Sequence, residues 1–335
     1  MKNNNQIAPW VKRFLVEHVV IERNLSKNTQ KSYRDTFALL LPFIAKQKSV
    51  PIENLEIEYF SIDAIRDFLT LLQETRGCSP VTCNQRLAAI HAFAKFVSWK
   101  SPEHVMWAGQ ARSVPFKKTT RTVVPYLERL EVDAILAAPN ASTWLGLRDY
   151  VLLLLLYNTG ARASEVANLT VGDLDLKHAS SVKLLGKGDK VRYCPLWKQT
   201  VSALSRITQN RLPGEKLFLN RKKQPLTRFG IHTLVEKYFG EAKLRCNSLQ
   251  GKRVSPHTFR HTTAVHLLRS GVDINTIRAW LGHVSIDTTN IYAEVDLEMK
   301  SKALALCQIG KSKLTSRNKS IWKESPDLMN YLRSL

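Results

Sequence analysis

Between Leu145 and Tyr157 the chain is apolar on nearly every side, interrupted only by Arg148 and Asp149. A helix with no polar face has to be covered all round. The run Val151 to Leu156 is far too short to cross a bilayer, so the segment predicts a central helix buried inside a globular domain. Asn158-Thr159-Gly160 ends it, and Gly160 suits the left-handed position that closes a helix. A chain of 335 residues is long enough for this core and a second one.

The second core is legible upstream. Ser61-Ile62-Asp63 starts a helix whose apolar positions Ile65, Phe68, Leu71 and Leu72 recur at helical spacing to about Arg76. Ser79-Pro80 starts another, with Leu87, Ile90, Ala94 and Val97 on one stripe. Segments from Trp10 to Ile21 and from Thr29 to Ala45 have similar periodicity. Residues 1–108 therefore read as a small helical bundle. From about Ser101 the pattern lapses, and residues 109–124, with Arg112, Lys117, Lys118 and Arg121, read as a basic, exposed linker.

Beyond the central helix, Ser181 to Leu185 is strand-like, breaks at Gly186-Lys187-Gly188-Asp189, and resumes at Val191 to Tyr193. Two such runs around a glycine-rich turn are the mark of a β-hairpin. Helical patterns return after Pro195, interrupted by the polar stretch 220–224. The fold class expected is mainly α with a small β-hairpin, an α+β arrangement.

Charge constrains the partner. Lys and Arg number 50 against 28 Asp and Glu, a formal net charge of +22. A field of that size attracts a polyanion, nucleic acid above all, and binding should weaken steeply with salt. A membrane partner is not expected, since no apolar run is long enough and the N-terminus Met1-Lys2-Asn3-Asn4-Asn5 has no apolar signal core. Five scattered cysteines fit a reducing cytoplasm rather than a disulfide framework. Cys78, Cys83 and His91 lie near one another in sequence, but no second ligand pair completes a zinc site, and no metal is expected.

The residues suited to chemistry cluster late. Ser255 is a good N-cap and Pro256 a good first helical residue. Three-residue spacing puts His257 and Arg260 on one face of the helix they start, with His261 beside them. A helix N-terminus carrying His and Arg suits a phosphate. Arg162 follows the end of the central helix closely, with Glu165 three residues on to orient it. Lys187 sits in the hairpin turn, with Lys190 as a competing candidate. Trp280 and Leu281 read as core anchors that place His283, and Tyr292 supplies a nucleophile. Two arginines and a histidine can neutralise a pentacoordinate phosphorus, while His257 and Lys187 manage protons on the nucleophile and leaving oxygen.

Tyr157-Asn158-Thr159-Gly160-Ala161-Arg162-Ala163-Ser164-Glu165, Leu185-Gly186-Lys187-Gly188, His257-Thr258-Phe259-Arg260-His261, Leu281-Gly282-His283 and Tyr292 resemble the ordered motifs of the tyrosine recombinase (phage integrase) family. The resemblance covers roughly residues 10–305. It implies an N-terminal core-binding domain over residues 1–108 that clamps duplex DNA, and a catalytic domain over residues 125–307. It implies a catalytic set of Arg162, Lys187, His257, Arg260 and His283 around the scissile phosphate. Tyr292 would form a 3′-phosphotyrosyl link and release a 5′-hydroxyl. It implies no metal and no cofactor, because the phosphotyrosine retains the energy of the broken bond. It also implies double-stranded recombination sites as partners and a homo- or hetero-tetramer on two of them. Residues 308–335 form a basic tail that extends past the nucleophile, rich in Lys311, Lys313, Arg317, Lys319 and Lys323.

A site-specific recombinase or integrase of a mobile element is thus the leading reading. A type IB topoisomerase shares the chemistry but relaxes DNA without partner exchange. A non-catalytic DNA-binding protein on the same scaffold would be marked by loss of Tyr292 or of an arginine, and both arginines and the tyrosine are present. A metal-dependent transposase needs clustered carboxylates, for which Asp173 and Asp175 are the only suggestive pair.

Overall fold

The computed structural model describes residues 5–119, 125–186 and 188–282. The described residues below 120 form one compact unit and those from 125 onward a second.

In the first unit, helix α1 (Ile7–Arg13) runs directly into a π-helical stretch, Phe14–Glu22, and is followed by α2 (Lys27–Lys48), α3 (Ile62–Glu74), α4 (Pro80–Lys100) and α5 (Val105–Arg112). Serine side chains start three of these helices. Ser26, Ser61 and Ser79 accept from the backbone N–H of Thr29, Ala64 and Thr82 at 3.3, 3.2 and 3.3 Å. The core is aromatic: Phe14 meets Phe37, Phe93 and Phe96 with ring centroids 5.5–5.9 Å apart. Here the structure corrects one expectation. The stretch from Ser101 contains α5, which continues to Arg112 inside the anticipated linker, whereas residues 113–119 carry no helix or strand. Its inward residues are Ala108 and Ala111, with Val114 just beyond, all buried in this core. Small residues pack closely but leave no hydrophobic stripe for periodicity to register.

The second unit is built on the apolar helix, α7 (Trp144–Thr159), preceded by α6 (Arg129–Leu136). Every residue from Val151 to Thr159 is buried. The two polar residues near its start are satisfied internally. Arg148 Nε donates to Asp149 Oδ1 at 2.8 Å, Arg148 Nη1 donates to the Leu219 carbonyl at 2.6 Å, and Tyr238 Oη donates to Asp149 Oδ2 at 2.8 Å. A buried charge pair needs such partners, since removal of one leaves the other stranded.

After α7 come α8 (Ala163–Asn168), then β1 (Leu174–Asp175), β2 (Ser181–Leu185) and β3 (Val191–Pro195). The strands form one antiparallel sheet in the order β1-β2-β3. In the hairpin Ser181 pairs with Pro195 and Leu185 with Val191. Val182, Leu184 and Cys194 face the core, whereas Lys183, Leu185 and Tyr193 face out. The hairpin has a third, very short strand beside it, β1, which two residues could not announce in sequence. Helices α9 (Lys198–Thr208), α10 (Arg228–Lys243), α11 (Pro256–Arg269) and α12 (Ile274–Leu281) complete the described unit. The fold is mainly α with a small sheet, as the sequence indicates.

Asp173 and Asp175 do not form a carboxylate pair. Asp173 Oδ2 accepts from Thr170, and Asp175 accepts from the backbone N–H groups of His178 and Ala179. Both are turn-capping groups. Among the described residues no three metal-ligating side chains cluster, and no helix is long and apolar enough to cross a membrane.

Candidate functional site

The site is assembled where α7 ends. Gly160 adopts φ +59° and ψ 26°, the left-handed closure of the helix. A side chain in place of its hydrogen would force a neighbour to shift, because a Cβ there would lie 2.6 Å from Leu281 Cδ2. That close approach lets the end of α7 pack directly on the end of α12.

Helix α11 joins these two ends. Ser255 Oγ accepts from the Thr258 N–H at 3.3 Å and starts the helix as expected. One turn in, Arg260 is almost wholly buried. Its Nη1 donates to the Gly160 carbonyl at 2.7 Å and its Nη2 to the Leu281 carbonyl at 2.6 Å. Both acceptors lie at helix C-termini, where unpaired carbonyls carry partial negative charge that a guanidinium offsets. Thr263 Oγ1 donates to the Tyr157 carbonyl at 2.7 Å. The carbonyls of Gly160 and Leu281 help to fix the place of Arg260.

Arg162 and His257 open on one cleft of about 270 Å³, together with Arg228, His232 and Ser255. Helices α10 and α11 both begin at this cleft. The two helix starts, with the guanidinium groups of Arg162 and Arg228, make its wall positive. His257 remains exposed at the mouth. The covered part of its ring, and then the positive charges of Arg260, Arg162 and His232, hold it below the ordinary imidazole value. It is therefore neutral at pH 7 and able to accept a proton. His261, one turn further in, is pushed down to about 4, by burial first and then by His257 and Arg260.

Arg162 is held from below by Glu165. The carboxylate accepts from the Arg162 backbone N–H at 2.9 Å and from Arg162 Nη1 at 2.8 Å. Glu165 is buried while the Arg162 side chain stays 31% exposed, so this is not a loose surface pair. Burial alone would raise the Glu165 carboxyl, but hydrogen bonds and charge from Arg192 and Arg162 keep it below the usual range and ionised.

Of the six residues singled out in sequence, the structure thus brings Arg162 and His257 to one cleft and places Arg260 one turn into the same helix as His257, near enough for its charge to lower the imidazole. Lys187, His283 and Tyr292 lie outside the described residues. Lys190 is exposed, and its carbonyl accepts from Gly186. Leu281 is fully buried and Trp280 packs partly buried against the core, and the carbonyls of both are bonded by arginines, while the placing of His283 lies outside the described residues. Arg228, His232 and Arg192 were not legible beforehand. Arg228 and His232 carry no motif and lie far from the others in sequence. Arg192 sits in an otherwise ordinary strand, and its inward lean is visible only in three dimensions.

Residues 125–299 match the phage integrase family, and residues 11–101 match the phage integrase N-terminal SAM-like domain. The putative integrase/recombinase y4rC of Sinorhizobium fredii is 36% identical over the whole of both chains. The tyrosine recombinase XerC of Oceanobacillus iheyensis is 31% identical, covering 87% of this chain and 93% of the relative. Among solved structures, the Tn1549 transposon integrase in complex with transposon right end DNA superposes with a TM-score of 0.68 at 17% identity, over 89% of this chain and 99% of the other. The chain belongs to the phage integrase family, the tyrosine recombinases.

Proposed function

We propose that this chain is a site-specific DNA recombinase, acting for a mobile element, that cuts one strand at a time through a 3′-phosphotyrosyl intermediate on Tyr292. The scissile phosphate lies in the cleft lined by Arg162 and His257. Arg162 and Arg260 offset the charge of the pentacoordinate phosphorus, joined by His283. His257, neutral at pH 7, takes the proton from the tyrosine hydroxyl, and Lys187 protonates the departing 5′-oxygen. The ester on Tyr292 keeps the bond energy for religation, so the reaction consumes no nucleotide.

The observation that carries this reading is the shared cleft. It unites an arginine from the end of α7, a neutral histidine from α11 and two helix N-termini, with Arg260 fixed close behind. Such a wall is built for a phosphodiester. The net charge of +22 gives the duplex a reason to arrive there. The first unit clamps the duplex, and a tetramer, with or without a sister recombinase, holds two sites in the cytoplasm.

The test is covalent capture. A pool of nicked duplexes with random cores is incubated with the full chain in EDTA, then denatured, and the protein-linked strands are sequenced. A single enriched core joined through its 3′-phosphate to Tyr292 is expected. No protein–DNA adduct would overturn the reading. Two copies of the captured core on a supercoiled circle then separate recombination from relaxation, because a topoisomerase gives relaxed circles without exchanged products.

A further inference from the structure

Arg192, on β3, is the least exposed of the cations gathered at the sheet end of this site, apart from Arg260. Its side chain is 10% exposed. Its Nη1 and Nη2 donate to Glu165 Oε1 and Oε2 at 3.0 and 2.7 Å, a two-pronged grip, and its Nε donates to the Trp280 carbonyl at 2.9 Å. Two backbone segments lack side chains where this guanidinium lies. A Cβ on Gly282, which has φ +67°, would come 3.3 Å from Arg192 Nη1, and one on Gly186 would come 3.6 Å from the same atom and 3.5 Å from Glu165 Oε1. The head group is thus enclosed, and the Trp280 carbonyl sets its rotation so that both Nη atoms face Glu165.

That grip changes what Glu165 can do to Arg162. Both carboxylate oxygens are already occupied by Arg192, and Oε2 also accepts the Arg162 backbone N–H. Arg162 reaches the carboxylate through Nη1 alone. Without Arg192, an ionised and buried Glu165 would draw Arg162 into the two-pronged pairing that guanidinium and carboxylate prefer. Arg162 would then be turned away from the cleft.

We propose that Arg192 is a positioning residue of the recombination site: by saturating Glu165, it keeps one edge of Arg162 directed at the phosphate. This rests on the proposed role of Arg162. Arg192 itself touches no reacting atom in this scheme and acts through Glu165.

The test uses the full chain and the nicked duplex that the wild type captures most efficiently. Single-turnover cleavage is measured at saturating DNA, with the dissociation constant and thermal midpoint measured for each variant. Arg192→Lys keeps the charge but has no planar fork. It is expected to slow cleavage by about tenfold to a hundredfold, with affinity for the duplex within about threefold of wild type. Glu165→Gln removes the competing carboxylate. In its presence Arg192→Lys should have little further effect, so the double variant cleaves within about threefold of Glu165→Gln alone. A purely structural loss would multiply instead. Should Arg192→Lys fail to fold, Glu165→Gln paired with Arg192→Gln, which buries no unpaired charge, is compared with Glu165→Gln in the same way. Wild-type cleavage by Arg192→Lys, or losses that multiply in either double variant, would overturn the proposal. Failure of the wild type to capture any duplex would instead overturn the function on which it rests.

Discussion

Acidification should loosen the second unit through one histidine, and the size of the effect follows from its position. His261 lies partly buried on α11, and burial first, then the charges of His257 and Arg260, push it down to about 4 from an ordinary 6.5. A histidine depressed in the folded state resists protonation there, whereas the unfolded chain takes up a proton from about pH 6.5 downward. Stability is therefore complete above pH 6.5 and lost as pH falls toward 4. Linkage over this interval gives a loss of about 2 kcal/mol by pH 5 and about 3 kcal/mol by pH 4. Against a typical total of 5–15 kcal/mol, roughly a fifth or more of the stability is involved. The assay is urea unfolding of wild type and His261→Gln at pH 7, 6 and 5, with hydrogen exchange at α11 amides assigning the transition to this unit. The variant, whatever its stability at pH 7, should lose about 2 kcal/mol less than wild type on going to pH 5. Equal losses in the two proteins would refute the reasoning, because the acid sensitivity would then come from other groups.

Other outcomes follow from the same geometry. Gly160→Ala should destabilise the second unit by about 2 kcal/mol or more, from the left-handed backbone and the collision with Leu281, which urea unfolding measures. Arg162→Ala should lower single-turnover cleavage by about a hundredfold while the duplex still binds, and wild-type rates would remove Arg162 from the site. Cleavage by the wild type should hold steady down to below pH 6.5 and then fall as His257 is protonated, and a pH–rate profile already falling above 6.5 would contradict the neutral histidine. Duplex affinity should weaken on the order of a thousandfold between 50 and 200 mM salt, measured by fluorescence anisotropy, as counterion release by a strongly basic chain requires.

The elements that were legible in the sequence are those in which one residue type decides a local conformation. Gly160 closes α7, Ser255 and Pro256 open α11, and an apolar run with no polar face goes to the centre. Glu165 lies within one turn of Arg162, so their pairing could be read from spacing alone. What could not be read depends on contacts between distant segments. Helix α5 packs through alanines, which leave no stripe. The anchoring of Arg260 on the carbonyls of Gly160 and Leu281 joins residues 100 and 21 positions away. Arg192 meets Glu165 across 27 residues and Trp280 across 88, and no local pattern encodes either meeting. Arg228 and His232 belong to the cleft only because α10 begins where α11 does.

The most direct measurement is peptide mapping of the protein–DNA adduct after denaturation. A nucleotide remnant on Tyr292, with a free 5′-hydroxyl on the released strand and no adduct from Tyr292→Phe, is the predicted result. An adduct on another side chain, or strand cleavage that continues undiminished in Tyr292→Phe, would contradict it.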